Sequence, residues 1–429
     1  MAERQTTARE AAADLVTGVI EEKRPLSDQL SAGALSRLSG PDRARAQRLA
    51  LVTLRNLLRA DAILKRHLRK GPPPFVMSVL RVATVELLET GQEAHGVVGT
   101  AVDLVRAPGR RTDGFAGLVN AVLRKVAATP AGDWQALPPQ PLPGWLRGRL
   151  MSAYGKAATL AIETAQAQGA PVDLTPRDPA TAADLAARTG GELLPGGSIR
   201  LGDRVQVSDL PGFAEGVFWV QDAAAALCAG ALAPQRGARI LDLCAAPGGK
   251  TLQLAAAGAE VTALDISAQR MVRLQENLDR CGLAARTVVA DALDWQPDGL
   301  FDAVLLDAPC SATGTIRRHP DLPFVRDASG IKPLVALQAA LFDRALGFVR
   351  PGGRLVYATC SLLPDEGEHQ ARQALQRHPG LMPIPLAEVF PGIDPGWIGP
   401  DGALRTRPDF LPDRGGIDGF YIAAFRAPG

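Results

Sequence analysis

The sequence has no long hydrophobic run. No stretch approaches the ~20 consecutive apolar residues that a membrane-spanning helix needs, and the start MAERQTTARE has no apolar segment behind a basic patch. A chain of 429 residues with 46% hydrophobic residues can still bury a sizeable core, and its length favours two or three domains. We therefore expect a protein that is neither secreted nor inserted into a membrane.

Cysteine pairs and metal-ligand spacings are also missing. The 5 cysteines lie far apart, none forms a Cys-x-x-Cys pair, and no histidine lies near them at the spacing of a zinc site. This pattern is typical of a reducing compartment. It predicts a cytoplasmic protein without a bound metal.

Lysine is scarce and the net charge is small. Only 7 of the 47 basic residues are lysine, and the formal net charge is +2. Arginine suits phosphate and base edges better than lysine does, but a GC-rich genome produces the same bias. A charge of this size does not by itself indicate a polyanionic partner.

The hydrophobic pattern predicts a chain of three domains. Apolar residues repeat with helical spacing from about residue 8 to 128, which predicts an all-helical domain over 1–130. A proline-rich linker separates it from a small, mixed α/β segment over 144–225. The remainder, 226–429, alternates apolar strands with helices.

Five apolar runs in this last region predict the strands of a parallel sheet. Because the runs are continuously apolar and separated by helix-length segments, both faces of the sheet are expected to be covered, as in Rossmann-like doubly wound folds. Ligands of such sheets bind at the carboxyl ends of the strands. The runs are Ile240–Leu243, Val261–Leu264, Thr287–Val289, Ala303–Leu306 and Arg354–Tyr357.

The first three strand ends indicate a nucleoside-type cofactor. The segment Asp242–Thr251 contains a Gly-Gly turn before a helix, where backbone amides can approach a ligand. It is not a complete phosphate-binding P-loop, because Cys244 stands where that loop needs glycine. Asp265 ends the second strand and Asp291 the third, and an acid at such a position can accept ribose hydroxyls. Together they predict an adenosine-containing cofactor.

The last two strand ends carry residues that can react. The fourth strand runs into Asp307 and Cys310, and the fifth into Cys360. Methylation of a pyrimidine at carbon 5 needs such a set: a thiolate adds at carbon 6, an acid at nitrogen 3 stabilises the developing charge, and a second thiol can assist release. On this chemistry alone either cysteine can be the nucleophile.

These motifs resemble those of the RNA (cytosine-5)-methyltransferase family. The similarity rests on Asp242–Thr251, Asp307–Ser311 and Thr359–Ser361. The N-terminal region resembles the NusB-type RNA-binding helical domain, through the Ala8-Arg9 start, His95 and Val119–Arg124.

The resemblance implies a role for each site residue. Cys360 would be the covalent nucleophile, Cys310 would assist release, and Asp307 would be the acid hydrogen-bonded to cytosine. The cofactor would be S-adenosylmethionine, contacted by Cys244, Ala245, Ala246, Pro247, Gly248, Gly249, Lys250, Asp265, Asp291 and Asp307. The implied substrate is a cytosine of small-subunit (16S) ribosomal RNA. Transfer RNA, DNA and an inactive RNA-binding protein are the alternatives.

Three residues beyond the fourth strand are candidates for RNA contact. Arg317, Arg318 and His319 follow the catalytic segment and are expected to bind the RNA backbone, although a charged surface loop has the same composition. We expect a monomer.

The chain departs from the family pattern at two places. The family usually has Cys-Ser-Gly-Thr-Gly after the fourth strand, whereas Ala312 occupies the first glycine position here. The usual Arg-x-Asn motif that begins the middle domain is replaced by Asp173-Leu174-Thr175.

Overall fold

The computed structural model describes residues 6–107, 111–202 and 205–429, so the first five residues of the predicted N-terminal domain lie outside it. The chain divides into two compact units. The first contains residues 1–148, 159–169 and 316–327, and the second contains 149–158, 170–315 and 328–429. Within the described ranges, no helix combines the length and apolarity needed to cross a membrane.

The first unit is helical, as the hydrophobic spacing predicts. Side-chain caps fix two of its helix starts, because the hydroxyls of Thr7 and Ser39 accept hydrogen bonds from the backbone amides of Glu10 and Asp42. Its helices are α1 (Ala8–Ile20), α2 (Leu26–Ser31), α3 (Gly40–Arg55), α4 (Leu57–Lys65), α5 (Pro74–Leu88), α6 (Ala94–Arg106), α7 (Ala116–Ala127), α8 (Ala131–Gln135) and the outer parts of α9 (Gly144–Gln168).

The second unit begins with a small antiparallel sheet of order β2-β3-β1-β4, which carries one helix. Its elements are β1 (Asp173–Pro176), α10 (Ala182–Thr189), β2 (Glu192–Leu193), β3 (Ile199–Arg200) and β4 (Phe218–Val220). A buried ion pair crosses it, with Arg200 Nε 2.7 Å from Asp173 Oδ1. The other oxygen, Asp173 Oδ2, accepts from the backbone amide of Ala223, 3.0 Å away. The residue that replaces the family's usual arginine is therefore an internal structural carboxylate.

The large sheet has the order β10-β12-β9-β8-β5-β6-β7, with β11 paired to β12. Its strands are β5 (Arg239–Leu243), β6 (Glu260–Asp265), β7 (Arg286–Val289), β8 (Phe301–Asp307), β9 (Val349–Thr359), β10 (Met382–Ile384), β11 (Leu404–Arg405) and β12 (Tyr421–Arg426). The helices of the second unit that accompany this sheet are α11 (Ala223–Gly230), α12 (Gly249–Ala256), α13 (Ala268–Cys281), α15 (Ile331–Leu346), α16 (Glu368–Arg377) and α17 (Leu386–Val389). The short helix α14 (Leu322–Val325) belongs to the first unit.

The five predicted strands are present and pair in parallel, which confirms the Rossmann-like fold class. The sheet is nevertheless mixed, because β12 adds antiparallel to β9 and then pairs with β10 and β11. Buried side chains cover both faces of the central strands. The predicted boundary at residues 225/226 falls inside the second unit, within helix α11.

The loop after β8 has a constrained backbone. Ala312 adopts φ +56°, a left-handed conformation that costs a residue with a Cβ about 1–2 kcal/mol. Gly314 is there for a different reason: a Cβ at this position would lie 1.9 Å from the carbonyl oxygen of Gly419. The family's first glycine is thus replaced at a strained position, while the second glycine is required by close packing.

Replacing Ala312 with glycine is expected to raise the free energy of unfolding by up to about 1 kcal/mol, because relief of the left-handed strain exceeds the entropy that glycine adds to the unfolded chain. The matched control is Ala257→Gly at an exposed position with φ −72°, which should lower stability instead. Urea unfolding of both variants measures the difference. Equal destabilisation by both substitutions would contradict the assignment of strain.

Removing the buried carboxylate of the small sheet should be costly. Asp173→Ala leaves Arg200 charged, 5% exposed and without its ion-pair partner, so we expect a loss of about 3–5 kcal/mol. Asp184→Ala is the control, since its pair with Arg188 is exposed at 3.6 Å and should contribute nothing measurable. Denaturant unfolding of both variants gives their midpoints, and similar midpoints for Asp173→Ala and Asp184→Ala would contradict the prediction.

Candidate active site

Two thiols meet at the ends of neighbouring strands. Cys310 follows β8 and Cys360 follows β9, and their Sγ atoms are 3.4 Å apart. Backbone pairing continues beyond the strands, because the Ala308 amide donates to the Ala358 carbonyl and the Gly314 amide donates to the Cys360 carbonyl, each at 2.9 Å. Both cysteines are half-buried. The structure thus brings together the two cysteines predicted from the strand ends.

An acid and a base lie at the same edge of the sheet. Asp307 is the last residue of β8, and its Oδ2 accepts a hydrogen bond from Lys250 Nζ at 2.7 Å. Burial acts to lower the pKa of Lys250, but the charge and the hydrogen bond of Asp307, together with the other acidic groups nearby, outweigh it and the pKa is raised. Lys250 is therefore an ammonium ion paired with Asp307.

The protonation of Cys310 is affected by its neighbours. Its pKa is raised well above the ordinary value, first by the contact with Cys360, then by burial and by the negative charges of Cys360 and Glu366. At neutral pH, Cys310 is therefore a thiol. A residue in this state can donate a proton but is a poor nucleophile.

The predicted cofactor loop forms a tight turn between β5 and α12. Asp265 holds it in place, since Oδ2 accepts from the Ala246 amide at 3.1 Å and Oδ1 accepts from the Ser267 amide at 2.9 Å. Arg270 also donates to the carbonyl of Ala246. Cys244 lies in this loop with φ +59°, and burial, followed by the charges of Asp307 and Asp265, raises its pKa to about 12. Cys244 is thus an inert thiol of the loop wall.

The first turn of α12 does not act as a P-loop. Lys250 is paired with Asp307, and the Thr251 hydroxyl donates to Asp242 Oδ2 at 2.6 Å. Burial raises the pKa of Asp242 to about 7, although the bond from Thr251 acts to lower it. The two side chains that would bind phosphate and magnesium in a P-loop are therefore engaged inside the protein.

The strand ends of β6 and β7 fit an adenosine-containing cofactor. Asp265 is only 2% exposed, whereas Asp291 is exposed and accepts from the Leu293 amide at 2.9 Å. Sequence reasoning missed two apolar residues that follow these acids, Ile266 (69% exposed) and Leu293 (36% exposed). Exposed aliphatic side chains beside carboxylates of this kind suit the faces of an adenine ring. Their position just after each acid was the signal available in the sequence.

The three candidates for RNA contact do not share one environment. They lie in the segment 316–327 of the first unit. Arg317 is fully buried, and its carbonyl oxygen accepts from Arg55 Nη2 at 2.9 Å. Arg318 is half-buried and His319 is exposed. Burial makes Arg317 a structural residue in this conformation, which differs from the expectation that it binds RNA.

Several residues that support the cysteines were not predicted. Arg405 Nη1 donates to the Ser361 carbonyl at 2.5 Å, and the same guanidinium pairs with Glu368 at 2.6 Å. Glu366 and Gln338 are fully buried and contact the loop that carries Cys310. The sequence offered a signal for Glu366 alone, because it lies only a few residues after Cys360. Among the residues that the structure describes, no group of three His, Cys, Asp or Glu side chains is arranged to hold a metal.

Two solved structures superpose on large parts of this chain. A methyltransferase homolog from Pyrococcus horikoshii superposes with a TM-score of 0.56 at 27% identity, covering 65% of this chain and 93% of its own. The crystal structure of PH0851 superposes with a TM-score of 0.75 at 23% identity, covering 97% of this chain and 98% of that one, and shows the same overall fold.

Sequence relatives extend over both units. The ribosomal RNA small subunit methyltransferase B of Erwinia tasmaniensis is 36% identical over 98% of each chain. The protein with the same name from Xanthomonas campestris pv. campestris is 37% identical over 97% of this chain and 96% of its own. Residues 6–128 match the NusB family and residues 229–426 match the family described as 16S rRNA methyltransferase RsmB/F. The chain therefore belongs to the RsmB/F family of 16S rRNA methyltransferases and begins with a NusB-type domain.

Proposed function

We propose that this enzyme methylates carbon 5 of a cytosine in 16S ribosomal RNA through a covalent bond between Cys360 and carbon 6 of the base. The observation that carries the proposal is the 3.4 Å contact between Cys310 Sγ and Cys360 Sγ. A cytosine C5 methyltransferase can use two thiols at one point, because one adds to the ring and the other can assist its release.

The family resemblance assigns the nucleophile to Cys360, and the protonation of Cys310 agrees with that assignment. The raised pKa of Cys310 keeps it protonated and unsuited to attack. In the proposed reaction the Cys360 thiolate bonds to carbon 6, and the electron pair of the C5–C6 double bond becomes available at carbon 5. After methylation the carbon 5 proton passes to solvent, the electron pair of that C–H bond restores the C5–C6 double bond, and the C6–S bond breaks so that Cys360 leaves as a thiolate. Cys310 then serves as the assisting thiol.

Asp307 and Lys250 hold protons where negative charge develops. The carboxylate of Asp307 can accept from the exocyclic amino group of cytosine, and the pair with Lys250 at 2.7 Å can share a proton with ring nitrogen 3. This pair stabilises the covalent state without a metal ligand.

The methyl donor proposed for this site is S-adenosylmethionine, which supplies the methyl group when bound. Asp265 and Asp291 would hold the ribose and adenosine side of the cofactor, with Ile266 and Leu293 beside the base. The glycine turn at 248–249 lets its backbone approach the cofactor closely. Asp307 and Lys250 would face the amino-acid portion or the target base.

The RNA substrate is inferred from the relatives' names and from the NusB-type domain. Carbon 6 is inaccessible in a stacked helix, so the target cytosine must be single-stranded or flipped out. Of the three candidates beyond β8, Arg318 and His319 are proposed to contact RNA. We propose a monomer acting in the cytoplasm.

The two catalytic cysteines should give opposite phenotypes. Cys360→Ala is expected to abolish methyl transfer and covalent capture of RNA, while Cys310→Ala should accumulate a protein–RNA adduct because release is slowed. Labelled cofactor and denaturing gels measure both quantities. Cys281→Ala is the control, since this cysteine is buried at the end of α13. If instead Cys360→Ala accumulated the protein–RNA adduct and Cys310→Ala lost covalent capture of RNA, the roles of the two cysteines would have to be exchanged.

The target class is tested in cells. Bisulfite sequencing of RNA from a strain that lacks the protein should show one cytosine of 16S ribosomal RNA losing its 5-methyl group, restored by the wild-type chain but not by Cys360→Ala. Loss of the mark from transfer RNA, or full complementation by Cys360→Ala, would contradict the proposed substrate or the proposed enzymatic role, respectively.

A further inference from the structure

A fully buried carboxylate connects the two loops that carry the cysteines. Glu366 is 0% exposed and lies in the turn that precedes α16. Its Oε1 accepts from the Ser311 amide at 2.9 Å, and its Oε2 accepts from the hydroxyls of Ser311 and Ser361, each at 2.5 Å. Each serine directly follows one of the two cysteines.

Gln338 completes this set of contacts from α15. Its Nε2 donates to Glu366 Oε1 at 3.0 Å and to the Pro309 carbonyl at 2.9 Å, and it is fully buried. The residue after Cys310 is therefore bonded to the Glu366 carboxylate directly, and the residue before Cys310 is linked to it through Gln338. We call Glu366, Ser311, Ser361 and Gln338 the carboxylate clamp.

A buried carboxylate is costly unless hydrogen bonds replace its lost hydration. In the described chain, the donors to Glu366 are neutral groups: one amide, one carboxamide and two hydroxyls. Its charge is thus stabilised by directed hydrogen bonds, which have strong geometric requirements. Moving either cysteine loop would break at least one short bond to a desolvated acceptor.

We propose that Glu366 is a positioning residue whose carboxylate fixes the Cys310 loop against the Cys360 loop and so holds the two thiols in contact. This inference rests on the proposed function, because it assigns the contact to the covalent methylation cycle. Glu366 does not touch the reacting atoms. It acts through Ser311 and Ser361.

The clamp also has an electrostatic consequence. The negative charge of Glu366 is one of the causes that raise the pKa of Cys310. Hydrogen bonds alone would make Glu366 a structural residue, whereas its charge also contributes, after the contact with Cys360 and burial, to the raised pKa of Cys310. The two effects can be measured separately.

The test substitution is Glu366→Gln in the full chain, which keeps the side-chain shape and removes the charge. Without RNA, iodoacetamide alkylation between pH 7 and 12 is read separately at Cys310 and Cys360 by mass spectrometry. We expect the Cys310 midpoint to fall by about one pH unit, because a nearby like charge no longer opposes ionisation. With RNA, we expect kcat to fall about tenfold to a hundredfold and KM for RNA and cofactor to stay within about twofold.

The matched control is Asp365→Asn, one residue earlier. Asp365 is 42% exposed and pairs with Arg149 at 2.9 Å. Its substitution removes the same charge from the same turn without touching either cysteine loop, so both readouts should match the wild type. The proposal would be overturned if Glu366→Gln had the same Cys310 midpoint and the same kcat as Asp365→Asn. It would also be overturned if Glu366→Gln shifted the Cys310 midpoint but left kcat unchanged.

Two further outcomes, failure of Glu366→Gln to fold and failure of the wild type to methylate cytosine, are interpreted separately. If Glu366→Gln does not fold, Ser361→Ala is the substitute test, because it removes one hydrogen-bond donor and leaves the carboxylate in place. A fall in kcat at constant KM would support the carboxylate clamp, and an unchanged kcat would reject it. If the wild type transfers no methyl group to cytosine, the proposed function fails. The alkylation profile of the free protein still reports whether Glu366 controls Cys310.

Discussion

Strands β8 and β9 run parallel with Asp307 opposite Ala358, and this register decides which residues meet beyond the sheet. Two residues past Ala358 lies Cys360, and three past Asp307 lies Cys310, so the thiols reach the same point from neighbouring strands. A shift of one residue would turn the side chains of one strand to the opposite face. The contact of the thiols, the orientation of Asp307 and the clamp all depend on this pairing.

Around this pair the protein stabilises three carboxylates in three different ways. Asp307 is neutralised by the ammonium of Lys250. Asp242 is fully buried, and its pKa of about 7 reduces its charge at neutral pH. Glu366 receives directed hydrogen bonds from neutral donors. The three acids thus differ in environment: one is paired with an ammonium ion, one is buried in a central strand and one is bonded to the loops of both thiols.

In the helical unit, basic residues that are neighbours in the sequence differ in how far they are buried. Its segment 316–327 follows the catalytic loop in sequence, and there the Asp321 carboxylate accepts from the Leu26 amide at 2.9 Å. Phe324 and Val325 pack against the helical core. Arg317 is also fully buried, whereas His319 is exposed. Neighbouring basic residues that look equivalent in the sequence thus differ in whether RNA can reach them.

The sequence alone determined the helical first unit, the five parallel strands and the candidate residues at their ends, because periodicity and strand-end motifs are local properties. Only the tertiary structure decided that β12 adds antiparallel, that Cys310 and Cys360 touch, and that Arg317 is buried. It also joined Ser311 to Glu366, 55 residues away in the chain. Such contacts depend on strand order and on the desolvation of particular side chains, which no local pattern encodes.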